Sequence, residues 1–245
     1  MASLYHVLHI SRQDMMARLD DLDLTSHNLA NINTIGFKRS RTNFQELLEN
    51  ATKSGAWIAA TQILNAQGAL KQTGRVLDLA IQGEGFFAVR LPDGRTGYTR
   101  DGQFSLDAQG RLVTAAGYPL IWEGQIPTDA TAIEIDRDGT VRIQQGQAWN
   151  VAGRIGLSRF INPSALQEFG SNVWLETPTS GPAQNGTAGN ARFGQIVSRA
   201  LEQSNVNLAE EMAHLISLQR NFQMSVRAFQ QTDQMISQAI HLRKA

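Results

Sequence analysis

The chain has 245 residues, enough for one large or two small domains with a buried core. Its 22 Lys and Arg balance 22 Asp and Glu, so no charge excess directs it to nucleic acid or to an anionic membrane. The lack of cysteine excludes a disulfide framework, a thiolate nucleophile and a cysteine zinc site, and no apolar run reaches the length of a membrane span.

The first fourteen residues carry no basic leader, and their short apolar stretch is broken by His6 and His9, so no cleaved secretory signal is expected. Residues 3–31 are predicted to form a helix. Leu4, Leu8, Ser11, Met15, Leu19, Leu22, Ser26 and Leu29 recur at spacings of four and three. His6 and His9 share a face of it but lack further ligands nearby, so no metal site is expected. The helix runs into S-H-N-L-A-N-I-N-T-I-G-F-K, Ser26 to Lys38. Amides at Asn28, Asn31 and Asn33 can satisfy the helix end, Gly36 supplies a turn and Phe37 an apolar anchor.

A short helix is predicted next, with Thr42 to Gln45 as capping box and Phe44, Leu47, Leu48 and Ala51 as its apolar face. Lys38, Arg39 and Arg41 form a basic cluster that reads either as a solvated face or as a contact to an acidic patch on a neighbour. Residues 52–80 read as an extended connector punctuated by Gly55, Gly68 and Gly74, with one short strand near 57–64.

From Leu79 to about Val197 the period becomes that of strands. Turn signals at Pro92-Asp93-Gly94, Asp101-Gly102, Ala116-Gly117 and Asp138-Gly139 separate β-rich runs, which predicts an antiparallel β domain, sandwich or barrel-like. Asp136-Arg137-Asp138-Gly139 echoes the start of a calcium loop, but later oxygen ligands are missing and a hairpin turn is the expectation. Residues 178–189, rich in Gly, Pro, Ser and Thr, read as a mobile loop.

The last stretch predicts a long helix. Leu208, Met212, Leu215, Gln219, Phe222, Val226, Phe229, Asp233, Ile236 and Ile240 keep the same four-three spacing without Gly or Pro. Such a helix is about 50 Å long and requires a partner helix, in this chain or another. Asn207 is placed as N-cap with Glu210 completing a capping box. Gln219 and Asp233 on the seam are either tolerated polar positions or devices that fix register.

Several of these motifs resemble one family. S-x-N-L-A-N-x-N-T-x-G-F-K is similar to the N-terminal signature of the bacterial flagellar rod and hook proteins. E-Q-S-N-V-N-L-A-E-E-M, Glu202 to Met212, resembles the signature that opens their terminal helix. G-E-G-F-F-A-V, Y-T-R-D-G-Q-F and G-R-L-V-T-A-A-G-Y-P-L match between them, in the right order. Within the family, G-F-K-R-S-R-T-N-F-Q-E-L-L looks most like the distal-rod members, V-S-R-A-L-E-Q-S-N-V-N more like the proximal-rod ones, and the connector after Leu48 is shorter than the distal-rod pattern.

The expected architecture is α+β, with long N- and C-terminal heptad helices packed together around an inserted antiparallel all-β domain. The expected boundaries are 1–36 with 204–245 for the helices, 37–80 for the short helix and connector, and 81–203 for the β domain. No catalytic constellation, phosphate loop or dinucleotide fingerprint is found, so neither an enzyme nor a cofactor is expected. The resemblance implies a structural, self-assembling subunit of the basal-body rod between motor and hook. Its implied partners are copies of itself, other rod and hook proteins and the flagellar export apparatus, without membrane insertion. The residues expected to carry assembly are the seam and signature positions: Leu4, Leu8, Met15, Leu19, Leu22 and Leu29; Asn28, Asn31, Asn33, Gly36 and Phe37; Asn205 and Asn207; and Leu208, Met212, Leu215, Phe222, Val226, Phe229, Ile236 and Ile240. A secreted β-domain binding module with helical stalks is the competing class.

Overall fold

A computed structural model describes the backbone of residues 2–46 and 56–244 and the side chains of residues 12–42 and 62–238. The chain divides into two compact units. One comprises residues 1–30, 40–62 and 206–245; the other comprises residues 31–39 and 63–205.

The first unit is built on two helices, α1 (Ala2–Ala30) and α2 (Leu208–Lys244), which pack together. They run antiparallel. The Ser225 hydroxyl donates to Asp14 Oδ2 at 2.6 Å, and His214 Nε2 lies 3.5 Å from Asp21 Oδ2. Asn207 caps α2 as its sequence predicts: Oδ1 accepts the Ala209 N–H at 3.0 Å, and its Nδ2 donates to Glu210 at 3.1 Å.

The buried stripes are displaced from the apolar ones. In α1 the buried residues are Ala17, Asp21, Thr25 and Asn28, while Met15, Leu22 and Leu29 are half-buried and Leu19 is 45% exposed. In α2, Glu211, Leu218 and Thr232 are buried and Leu215, Phe222, Phe229 and Ile236 half-buried, whereas Leu208, Met212, Gln219 and Asp233 face solvent. The face turned inward is shifted from the expected seam by about one residue, roughly 100° of helix rotation. The side chains of Leu4, Leu8, His6, His9 and Ile240 lie outside the described residues.

The helix expected after the first signature is not formed. Ser40–Glu46 is a strand, paired in a two-stranded sheet with Ala56–Ile63. Its start is fixed from α1. Asn28 Nδ2 donates to the Ser40 carbonyl at 2.8 Å and Asn28 Oδ1 accepts the Ser40 N–H at 3.0 Å, holding that residue extended. The Thr42 hydroxyl, read as a helix cap, instead donates to Asp21 Oδ1 at 2.8 Å. Leu47, Leu48 and Ala51 lie outside the described residues. The strand expected near 57–64 is present as Ala56–Ile63.

The second unit is mostly β, and every strand register described in it is antiparallel. One four-stranded sheet orders Ala132–Ile135, Thr140–Gln145, Ala148–Arg154 and Glu123–Gly124. A second orders Gln167–Gly170, Val173–Leu175, Thr96–Thr99 and Phe87–Arg90. Alternation of inward apolar residues fills one core around Leu79, Ile81, Phe87, Phe104, Leu112, Ile155 and Ile196. A smaller aromatic cluster joins Phe86, Tyr98, Phe160 and Trp174, with Tyr98 and Phe160 edge-to-face at 4.7 Å. Asp136 to Gly139 is the expected hairpin turn, with Gly139 at φ +84°. The loop expected over 178–189 is a loop only in part. Gln184–Thr187 is a strand paired with Gly156–Arg159, and Ser180 is buried in a turn whose hydroxyl and amide both bond Thr177.

Candidate functional site

The two terminal signatures meet in the second unit, and a buried carboxylate joins them. Glu202, at the end of the strand Ala200–Glu202, is fully buried. Its Oε1 accepts from Lys38 Nζ at 2.6 Å and from the Gly68 N–H at 2.9 Å, and its Oε2 accepts from Arg100 Nη1 at 3.1 Å. Lys38 Nζ also donates to the Ala66 carbonyl at 2.8 Å. Arg100 donates to the Gly83 and Ile81 carbonyls and lies 5.3 Å over the Phe86 ring. Burial pulls the Lys38 ammonium below its usual range, with the Glu202 charge opposing it; the Arg100 guanidinium shifts downward for the same reason against the same opposition.

Backbone contacts run beside this ion cluster. The Gly36 N–H donates to the Glu202 carbonyl at 2.7 Å, and the Asn205 N–H to the Phe37 carbonyl at 3.4 Å. The Asn205 side chain accepts the Arg39 N–H at 2.7 Å and donates to the carbonyls of Leu64 and Ala66 at 2.8 and 2.9 Å. Asn172 donates to the Ile35 carbonyl at 2.7 Å. Gly36 is required twice over. Its φ is +67°, and a Cβ there would meet the Arg100 carbonyl carbon at 2.5 Å.

The expected site residues therefore fall into groups. Gly36, Phe37 and Asn205 come together in this clasp, with Phe37 buried. Asn28 holds Ser40, and Asn31 turns the chain through bonds from the Thr34 amide and hydroxyl. Asn33, Leu208 and Met212 lie on the surface. Neither Glu202 nor Arg100 was singled out in the sequence. A Glu beside Ala200 and Leu201 in a β-rich run was the available signal, since a charge at such a position needs a partner. Lys38, read as part of a solvated basic cluster or a contact to a neighbour, is instead buried and paired with Glu202, because its ammonium finds a carboxylate and a carbonyl inside the unit. Arg41 remains exposed and donates to Gln62.

Among the described residues no group of three or more His, Asp or Glu side chains could hold a metal ion. No helix among the described residues is long and apolar enough to cross a membrane.

Residues 80–143 match the flagellar hook protein FlgE/F/G D1 domain, and residues 197–242 match the flagellar basal body rod FlgEFG protein C-terminal region. The chain is 38% identical to the flagellar basal-body rod protein FlgG of Buchnera aphidicola subsp. Acyrthosiphon pisum, over 96% of this chain and 98% of that one. It is 35% identical to FlgG of Caulobacter vibrioides over the same shares, and 30% identical to FlgF of Mesorhizobium japonicum over 95% of each chain. The alignment with the Buchnera protein runs over 256 positions, more than the 245 residues here, so that relative carries residues this chain lacks. The fold and its matches define a structural, non-enzymatic protein of the flagellar axis. The chain belongs to the flagellar basal-body rod protein family, of the FlgG type.

Proposed function

We propose that the chain builds the distal segment of the rod by self-assembly into a helical tube. FlgG relatives at 34 to 38% identity, against 30% for the FlgF relative, favour the distal over the proximal position.

The observation that carries self-assembly is the set of large apolar side chains that the helices leave in solvent. Leu19, Leu208, Met212, Ile216 and Met224 are each between 44 and 60% exposed, a solvent-facing series along two helices that need lateral partners. Head-to-tail contacts that do not close generate a filament. The seam positions Met15, Leu19, Leu22, Leu208, Met212, Val226 and their neighbours are the contacts between copies in this reading. The signature residues Asn28, Gly36 and Asn205 act by holding the frame. The helices order on assembly, which suits passage through the flagellar export apparatus.

Sedimentation of the full-length chain across a concentration series, alone and seeded with sheared rods, tests this. Growth that disappears in Met212→Glu/Ile216→Glu, with the β unit still folded by near-ultraviolet circular dichroism, is the expected result. Growth equal to the unsubstituted chain would place assembly elsewhere.

A further inference from the structure

An open groove of about 800 Å³ runs along the β unit between the Gln82–Glu84 stretch and residues 189–195. Three guanidinium groups, Arg137, Arg159 and Arg192, line it against one carboxylate, Glu84. Glu84 is already taken, accepting from Arg159 Nε at 2.6 Å. Arg137 and Arg192 are exposed, and neither has a carboxylate partner among the described residues. Close backbone approach fixes the groove floor: the Gly194 N–H donates to the Glu84 carbonyl at 2.7 Å, and a Cβ on Gly194 would meet the Gln82 carbonyl oxygen at 2.6 Å. With three guanidinium groups against one carboxylate, the groove is net positive.

A chain of zero formal charge that concentrates cations here holds the balancing anions elsewhere. One concentration of them is on the helices. Asp20, Asp21 and Asp23 of α1 lie at the same end of the helix pair as Glu210 and Glu211 of α2, since the antiparallel pairing brings Asp21 against His214. Asp21 is committed to Thr42 and Glu210 to Asn207, but Asp20 and Asp23 are exposed.

We propose that this groove is an intersubunit socket that receives the acidic end of the helix pair, at Asp20 and Asp23, from a second copy of this chain. The pairing is heterologous: each copy presents a basic groove to one neighbour and an acidic helix end to another, and the contact propagates without closing. It rests on the self-assembly reading above and adds an orientation to it. Contacts of this kind govern encounter and register more than total affinity, and they are screened by salt over about 8–10 Å.

The test is a charge swap in the full-length chain, read by sedimentation alone and seeded with sheared rods. Arg137→Glu/Arg192→Glu should move the onset of assembly to at least about tenfold higher concentration at low salt, and Asp20→Lys/Asp23→Lys should do the same. Mixing the two variants should restore it, because each then supplies the complement of the other. All four positions are exposed, and the neutral pair Arg137→Gln/Arg192→Gln should give an intermediate onset at unchanged thermal stability. Variants that assemble at the unsubstituted onset, or a mixture that fails to recover, would overturn the socket while leaving self-assembly intact. An unsubstituted chain that never grows would overturn both.

Discussion

Glu202 is the single carboxylate that both buried cations of the clasp share. With Lys38 and Arg100 both buried against it, removing the carboxylate strands two cations out of water. Glu202→Ala should cost about 3–5 kcal/mol, measured by urea unfolding, whereas removal of an exposed, solvent-screened pair such as Arg95–Asp93 should leave the unfolding midpoint nearly unchanged. Asp101 offers the opposite case. Burial raises its pKa above the ordinary 3.8, the Gln103 N–H opposes this, and the nearby Asp78 carboxylate adds to it. A carboxyl whose folded pKa is raised costs stability once ionised, and that cost disappears as pH falls through the folded pKa toward the unfolded one. Asp101→Asn should therefore raise the melting temperature at neutral pH and lose its advantage below about pH 3.8, which differential scanning calorimetry at the two pH values resolves.

At the level of elements, the helices and most hairpins were legible because their signals are local. Asn207 caps α2 where the sequence places it, and Asp93-Gly94 and Asp138-Gly139 turn between paired strands, whereas Asp101-Gly102 forms no turn and its glycine carbonyl accepts the Leu79 N–H at 2.9 Å. What was not legible was decided by partners distant in sequence. The stretch from Ser40 carries a helical apolar spacing, yet Asn28 binds both backbone groups of Ser40 and Thr42 reaches Asp21, so an extended conformation wins. Periodicity likewise identifies the most apolar stripe of a helix, not the one its own chain covers. In α1 the covered stripe is Ala17, Asp21, Thr25 and Asn28, three of them polar and paired. Asn28→Ala removes both bonds to Ser40 and leaves that backbone without its partner. It should cost about 1–3 kcal/mol and speed hydrogen exchange at Ser40 and its strand neighbours while the 63–205 core stays protected. Likewise the clasp was legible only in its outline: the two signatures mark where it lies, but the Glu202–Arg100 pairing spans elements whose order says nothing of their adjacency.

For the whole molecule, two units of different character imply different responses to dilution. The 63–205 unit closes on its own apolar clusters, while the helices expose a series of large apolar side chains. Limited proteolysis of the free chain should trim both helical ends before cutting the β unit, and the same ends should become resistant in assembled rods. Ends as durable as the centre in the free chain would count against ordering on assembly.

The clasp also imposes a timetable. Lys38 and Glu202 are 164 positions apart, and the strands Gln195–Ser198 and Ala200–Glu202 pair with Leu79–Gln82 and Leu70–Gln72. During synthesis, the β unit cannot be sealed until about four-fifths of the polypeptide has left the ribosome. The carboxylate that neutralises Lys38 and Arg100 arrives almost last, so a growing chain stays unsealed through most of its translation. Any factor that must hold it unfolded has that whole interval in which to engage it.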